Sequence, residues 1–380
     1  MKKFFFTILV LFSIDFYSQT TKFLFPSEKL GEKREITIGL PQSYENNPEK
    51  KYPIIIVLDG DYLFDPFLGS LSYGAYWDDL PETIVVGISQ NKNNERESDS
   101  TYGDTTGLPI DHGSAFFEFI GLELMPYIEE KYRIAPFKII AGHDTTAGYL
   151  NFYLYKDVPL FDGYISISPI LAKGMIKRIP ERLAVIDKPI FYYLSTADGD
   201  IKKMQNNIKE LDSVVRTISN PKLEYKFNNF KEESHYSMVS LSIPKALNYF
   251  FSVYSPISTK EFLDVIVKLP DGHVNYLLNK YETIKTSLNI KMPIRVNDYR
   301  AIEAAILKNK TYDEFKELSD LAKRDYPKSM LSDFYLGLMY EKKGDLKKAA
   351  KIYQGAYLKG EIRDLTTQIM LDKAEELRQQ

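Results

Sequence analysis

Cysteine is missing from all 380 residues. Neither a disulfide nor a cysteine-linked lipid can exist, so stability has to come from core burial alone. Surplus charge of one sign is missing too: 49 lysines and arginines stand against 52 aspartates and glutamates, a net charge of -3. That balance leaves no electrostatic footprint for nucleic acid or an anionic membrane surface, and partners of those kinds are not expected. Histidine is scarce, with four in the chain. His112 and His273 lie in polar, loop-like stretches without metal-ligand spacing, so neither a metal nor another cofactor is expected. What is present is apolar substance. A 44% apolar content over 380 residues fills one large α/β domain plus a smaller appendage and excludes a disordered chain.

The chain starts "MKKFFFTILVLFSIDFYSQT". Lys2 and Lys3 precede an apolar run from Phe4 to Ile14, and small and polar residues follow. This pattern predicts a secretory signal peptide over residues 1–18, cleaved before Gln19, and hence an exported protein, periplasmic or secreted. The run is too short to cross a bilayer comfortably, so no membrane span is expected after cleavage; Asp15 leaves an uncleaved anchor as the alternative.

From about Lys33 to Tyr254, strand-like runs such as "YPIIIVLDG", "TIVVGIS", "FKIIAGHD", "DGYISISP" and "PIFYYLST" alternate with helical stretches. Several runs are apolar at consecutive positions, which predicts burial on both faces of a mostly parallel sheet. The alternation predicts a doubly wound α/β domain over residues 19–254. "YSPISTKEF", Tyr254 to Phe262, then opens a linker with helices over residues 255–295. Beyond it, Leu336, Gly337, Tyr340, Gly344, Ala349, Tyr353 and Ala356 fall at the small and aromatic positions of a tetratricopeptide unit. Tyr299, Ile302, Ala322 and Pro327 make a weaker copy. Residues 296–380 are therefore expected to form a small all-α domain of such repeats, serving either as a structural appendage or as a protein-binding surface.

Six ordered blocks, "YPIIIVLDGDYLF", "IVVGISQNKNNERESDST", "GSAFFEFIGLELMPYIEEKYR", "IIAGHDTTAGY", "LFDGYISISPIL" and "EESHYSMVSLSIPKALNYF", resemble the esterase family of α/β-hydrolases. That family includes the esterase D-like and enterobactin-esterase-like enzymes, and some secreted members carry C-terminal tetratricopeptide repeats. The resemblance implies an α/β-hydrolase fold and an ester-like small-molecule ligand. It places a nucleophile at the sharp strand-to-helix turn of "GHDTTAG". Asp144 stands at the position of the family's serine, followed by Thr146 and Ala147 where glycines are usual. His235 matches the family's histidine. Asp198 and Asp200 both follow a strand in the order nucleophile, acid, base, and either could orient His235. Backbone amides near Asp61 and at Thr145 are the oxyanion-hole candidates. Gly60 also reads as a plain strand-ending turn, Arg96 and Asp99 as a pair pinning a loop, and His143 as packing.

A carboxylate has no proton for histidine to remove, and its attack on an ester carbonyl would give an anhydride. Serine-type ester hydrolysis is therefore expected to be lost or very weak, with Asp144 and His235 forming an ion pair in the old pocket. On this reading the protein is a diverged esterase with a ligand- or protein-binding role. The alternative is an active hydrolase, acting either on ester-like substrates or through attack of Asp144 on a saturated carbon, as in epoxide hydrolases and haloalkane dehalogenases. Those enzymes add a helical cap, and no cap-sized insertion is evident between Ile170 and Lys188.

Overall fold

Strands β3 (Tyr52–Val57), β4 (Ile84–Ile88) and β6 (Gly163–Ile167) are buried at every residue. Strands this uniformly buried have to lie in the middle of a sheet covered on both faces. The structure, a computed structural model, describes residues 20–379; the expected signal peptide lies outside the described residues. The remaining strands are β1 (Thr20–Ser27), β2 (Glu32–Gly39), β5 (Ile134–His143), β7 (Ile190–Gly199) and β8 (Leu223–Ser234). They form one sheet in the order β1-β2-β4-β3-β5-β6-β7-β8. Pairing is antiparallel from β1 through β2 to β4 and parallel from β4 to β8.

Among the described residues eight α-helices accompany these strands: α1 (Gly60–Tyr76), α2 (Glu95–Asp99), α3 (Asp111–Glu118), α4 (Met125–Lys131), α5 (Thr145–Tyr149), α6 (Met175–Val185), α7 (Lys202–Val215) and α8 (Ser237–Phe250). Side chains alternate across a strand, so neighbouring residues of β3 serve opposite layers. Ile54 and Ile56 pack with Phe116, Met125, Ile179 and Leu211 of α3, α4, α6 and α7. Ile55 and Val57 pack with Phe67 of α1 and Leu247 of α8. The segment between Ile170 and Lys188 forms α6, and its Met175, Ile179 and Leu183 enter the sheet core. It covers the sheet and does not cap the site.

The rest of the described chain is helical: α9 (Thr259–Asp264), α10 (His273–Leu288), α11 (Val296–Asn309), α12 (Glu314–Asp325), α13 (Leu331–Lys342), α14 (Leu346–Gly355) and α15 (Thr367–Gln379). Consecutive helices from α12 to α15 pack on one another. A Cβ on Gly337 would lie 2.2 Å from the Tyr353 ring, so the approach of α13 to α14 requires a glycine there. The segment read as a linker is more than a tether. In α10, Val274 and Leu277 lie in the core of the helical region, whereas Ile284 and Leu288 lie in the core between the sheet, α1 and α8. One helix thus belongs to both cores. His273, expected in a loop, is buried at the start of α10, with Nδ1 2.8 Å from Glu314 of α12. His112 likewise falls in the first turn of α3, where Nδ1 is 3.3 Å from Asp99.

Candidate active site

The parallel strands end on one edge of the sheet, and the loops there bring together residues far apart in sequence. Between β5 and α5, Asp144 adopts φ 62° and ψ -118°. A side chain in that sparsely populated region costs on the order of 1–3 kcal/mol, so the surroundings must hold it. The Asp144 amide donates to the Ile167 carbonyl at 2.9 Å. Its own carbonyl accepts from the amides of Gly148 at 3.1 Å and Ile170 at 3.0 Å. A Cβ on Gly148 would stand 1.8 Å from the Ile170 carbonyl oxygen, so this glycine lets the elbow and the loop after β6 close on each other.

His235 lies between β8 and α8. Its Nδ1 is 2.7 Å from Asp200 Oδ1, and its Nε2 is 4.0 Å from Asp144 Oδ2. The two acid candidates are separated by this contact. Asp198 is exposed and reaches only Gln205 at 3.5 Å, whereas the Asp200 carboxylate is fully buried. Burial opposes its charge, but hydrogen bonds from His235, Ser168, Thr196 and the Ala197 amide outweigh burial and hold its pKa down at about 2. The expected contact between Asp144 and His235 is loose, because 4.0 Å is beyond hydrogen-bond range.

Arg96 and Asp99, read together as a loop pin, part company. Asp99 turns inward to Arg34 and Gln90. Arg96 turns into the site: Nε donates to Asp59 Oδ1 at 2.8 Å, Nη2 to the His143 carbonyl at 2.9 Å, and Nη1 reaches Asp144 Oδ2 at 3.4 Å. Asp59 is the hub behind it, buried and left-handed at φ 52° just before α1. Besides Arg96 it accepts from Thr146 Oγ1 at 2.6 Å and Tyr62 Oη at 3.1 Å. Burial raises its pKa, against the lowering pull of Arg96 and Thr146. Thr146 therefore uses the space beside the elbow to tie α5 to the start of α1.

His143 forms the wall behind Asp144. Its Nε2 is 3.1 Å from the His235 carbonyl, which can only accept, so Nε2 carries the proton; Nδ1 faces the Tyr62 hydroxyl at 3.1 Å, whose single proton lies between His143 and Asp59. Burial, then the neighbouring charges of His235 and Arg96, push its pKa down to about 3. His143 is thus a neutral buttress holding the His235 backbone. Of the oxyanion-hole candidates, Thr145 opens α5 and Asp61 sits in the first turn of α1, where amides lack intrahelical acceptors. The Asp61 carboxylate braces the loop after β4, accepting from the Ser89 hydroxyl and the Gln90 and Asn91 amides.

A strand-to-helix elbow facing a histidine that a buried aspartate orients defines the α/β-hydrolase class. Within that class the chain belongs to the family described as "Putative esterase", whose model matches residues 27–216. The crystal structure of an uncharacterised protein from Capnocytophaga ochracea is similar over 95% of this chain and 100% of its own, with 31% identity and a TM-score of 0.86. At that coverage the helical extension is shared as well. An IroE-like serine hydrolase from Shewanella oneidensis has the fold at 20% identity and a TM-score of 0.61, covering 80% of this chain and 99% of its own. The BES protein from Bacillus cereus has it at 23% identity and a TM-score of 0.54, over 66% of this chain and 98% of its own. No curated protein matches the chain.

Proposed function

We propose that this protein is a diverged esterase, in which an aspartate has taken the place of the serine nucleophile and the old site binds a ligand without cleaving esters. One observation carries the reading. The group at the elbow is a carboxylate 3.4 Å from Arg96 Nη1 and 4.0 Å from His235 Nε2. A serine hydroxyl would give its proton to His235 and become an alkoxide. Asp144, an ordinary carboxylate, has no hydroxyl proton of that kind to give. The oriented His235–Asp200 pair then has nothing to activate in an ester reaction that needs the nucleophile.

The test is hydrolysis of p-nitrophenyl acetate and butyrate by wild type, Asp144→Ser and Asp144→Ser/His235→Ala. Wild type is expected to stay at background. Asp144→Ser should rise at least about 100-fold above it, and removing the histidine should cancel the gain. Ester turnover by wild type that survives Asp144→Ala would overturn the proposal.

A second reading is favoured by the 2.7 Å His235–Asp200 contact, which is suited to activating water. Asp144 would attack a saturated carbon, expelling halide or opening an epoxide, to give an alkyl ester. Water deprotonated by His235 would then add to the Asp144 carbonyl carbon and release the alcohol. Haloalkane and epoxide substrates with His235→Ala test it, because the alkyl ester on Asp144 should then accumulate and be visible by mass spectrometry. We further propose export with cleavage before Gln19, to be checked on the mature N-terminus. The C-terminal helices are proposed as a tetratricopeptide-type surface for a protein partner, which leaves the hydrolase unit to residues 19–254.

A further inference from the structure

The charge balance and the rim of the site point to the class of ligand it takes. Three carboxylates, Asp59, Asp144 and Asp200, converge here on one guanidinium, Arg96, and one imidazole, His235. These groups pair unequally. Arg96 is held at 2.8 Å by Asp59, which is fully buried, and reaches Asp144 only at 3.4 Å. His235 is held at 2.7 Å by Asp200 and stands 4.0 Å from Asp144. Each of these two basic groups therefore has its closer carboxylate elsewhere, and Asp144, 20% exposed, is the more loosely paired carboxylate at the opening. The rim around it is aromatic and apolar. Tyr236 is 78% exposed and sets its ring edge-on against His235 at 5.1 Å. Tyr62 is 42% exposed, and Ile170 and Ile201 are exposed beside Asp144 and Asp200.

We propose that the site binds an organic cation, an amine or ammonium group carried on an apolar or aromatic body, with the nitrogen at Asp144 and the body against Tyr236 and Tyr62. The inference rests on the reading that the elbow binds a ligand and names its class. A partly exposed carboxylate with the Tyr62 and Tyr236 rings packed against the neighbouring His143 and His235 attracts a cation through its charge and through the ring quadrupoles. The same carboxylate repels an anion, and it occupies the reach of Arg96 that a carboxylate ligand would need.

Benzylamine, protonated at pH 7, and benzoate carry opposite charges on similar bodies, and their dissociation constants can be compared by calorimetry at low and at moderate salt. The wild type should prefer benzylamine by at least about tenfold, a factor equal to about 1.4 kcal/mol, and salt should narrow the gap. Asp144→Asn, which keeps the side-chain volume, should erase or reverse the preference. Tyr236→Ala, at an exposed position that the fold does not need, should weaken benzylamine several-fold. Benzoate binding as tightly as benzylamine, an unchanged preference in Asp144→Asn, or no binding of either probe would each overturn the proposal. Ester turnover by the wild type would instead refute the loss of serine-type hydrolysis and leave this comparison standing.

Discussion

His143 shows what a single residue of this site does to the molecule. Its folded-state pKa of about 3 lies below the ordinary value of 6.5, so between those values the unfolded chain takes up a proton that the folded protein refuses. Its contribution to stability is complete above about pH 7 and is lost as pH falls toward 3, by at most about 1.4 kcal/mol per pH unit. In urea unfolding between pH 7 and 4.5 the wild type should lose stability steadily. His143→Gln, which can still bond Tyr62 and the His235 carbonyl, should lose markedly less, and equal slopes would show that His143 is not held neutral. Asp200 acts in the same direction lower down. Its pKa of about 2 lies below the ordinary 3.8, so its contribution disappears only as pH drops through that interval.

At the scale of elements, α10 joins two cores that a reading by domains would separate. Ile284 and Leu288 are fully buried against the sheet side. Side chains of this kind contribute about 1.5–3 kcal/mol each, a large share of the 5–15 kcal/mol typical of a whole domain. A chain ending at Phe262 should therefore melt well below the full-length protein or aggregate. A chain ending at Asn289 keeps both residues and should retain most of the stability of the hydrolase unit in thermal unfolding. Similar melting of the two truncations would contradict this role of α10. Loss of function after a cut at Phe262 thus would not by itself locate function in the C-terminal helices.

At the scale of the molecule, the two units are locked by a charged contact as well as by α10. Arg295, 8% exposed, bonds Asp78 in the turn after α1, and the Tyr254 ring lies 4.3 Å from its guanidinium carbon. Tyr254 also donates to Asp78 at 3.2 Å. Because Asp78 is half exposed, the ion pair is worth less than a buried one; with the ring contact, Arg295→Ala should cost about 1–2 kcal/mol. Denaturant unfolding of the full chain measures it, and the slope against denaturant reports whether the units still unfold together. Among the described residues no helix is long and apolar enough to cross a membrane.

Much of this architecture is legible in the sequence because burial on both sheet faces leaves uninterrupted apolar runs such as "YPIIIV" and "TIVVGI", and small residues mark the elbow. Asp144 is legible for the same reason, since it directly follows the run of β5; His235, which follows the polar end of β8, is legible only through the family resemblance. Arg96, Asp59 and Tyr62 are less so. Their roles depend on where the loop after β4 folds relative to β5, and nothing in "NNERESDST" distinguishes an arginine that enters the site from one that faces water. Asp198 and Asp200 stand two residues apart at the end of β7, and only the packing of that end against Ser168 and His235 buries one of them.

The sequence by itself determined the alternation of strand and helix through local pattern, and its resemblance to a known family marked the aspartate at the elbow and the histidine after β8. Only the tertiary structure decided which acid orients the histidine, that Arg96 is shared between Asp59 and Asp144, and that α10 belongs to two cores. Those are contacts between segments tens to hundreds of residues apart, and their distances, which fix both charge and burial, exist only once the sheet has brought the strand ends together.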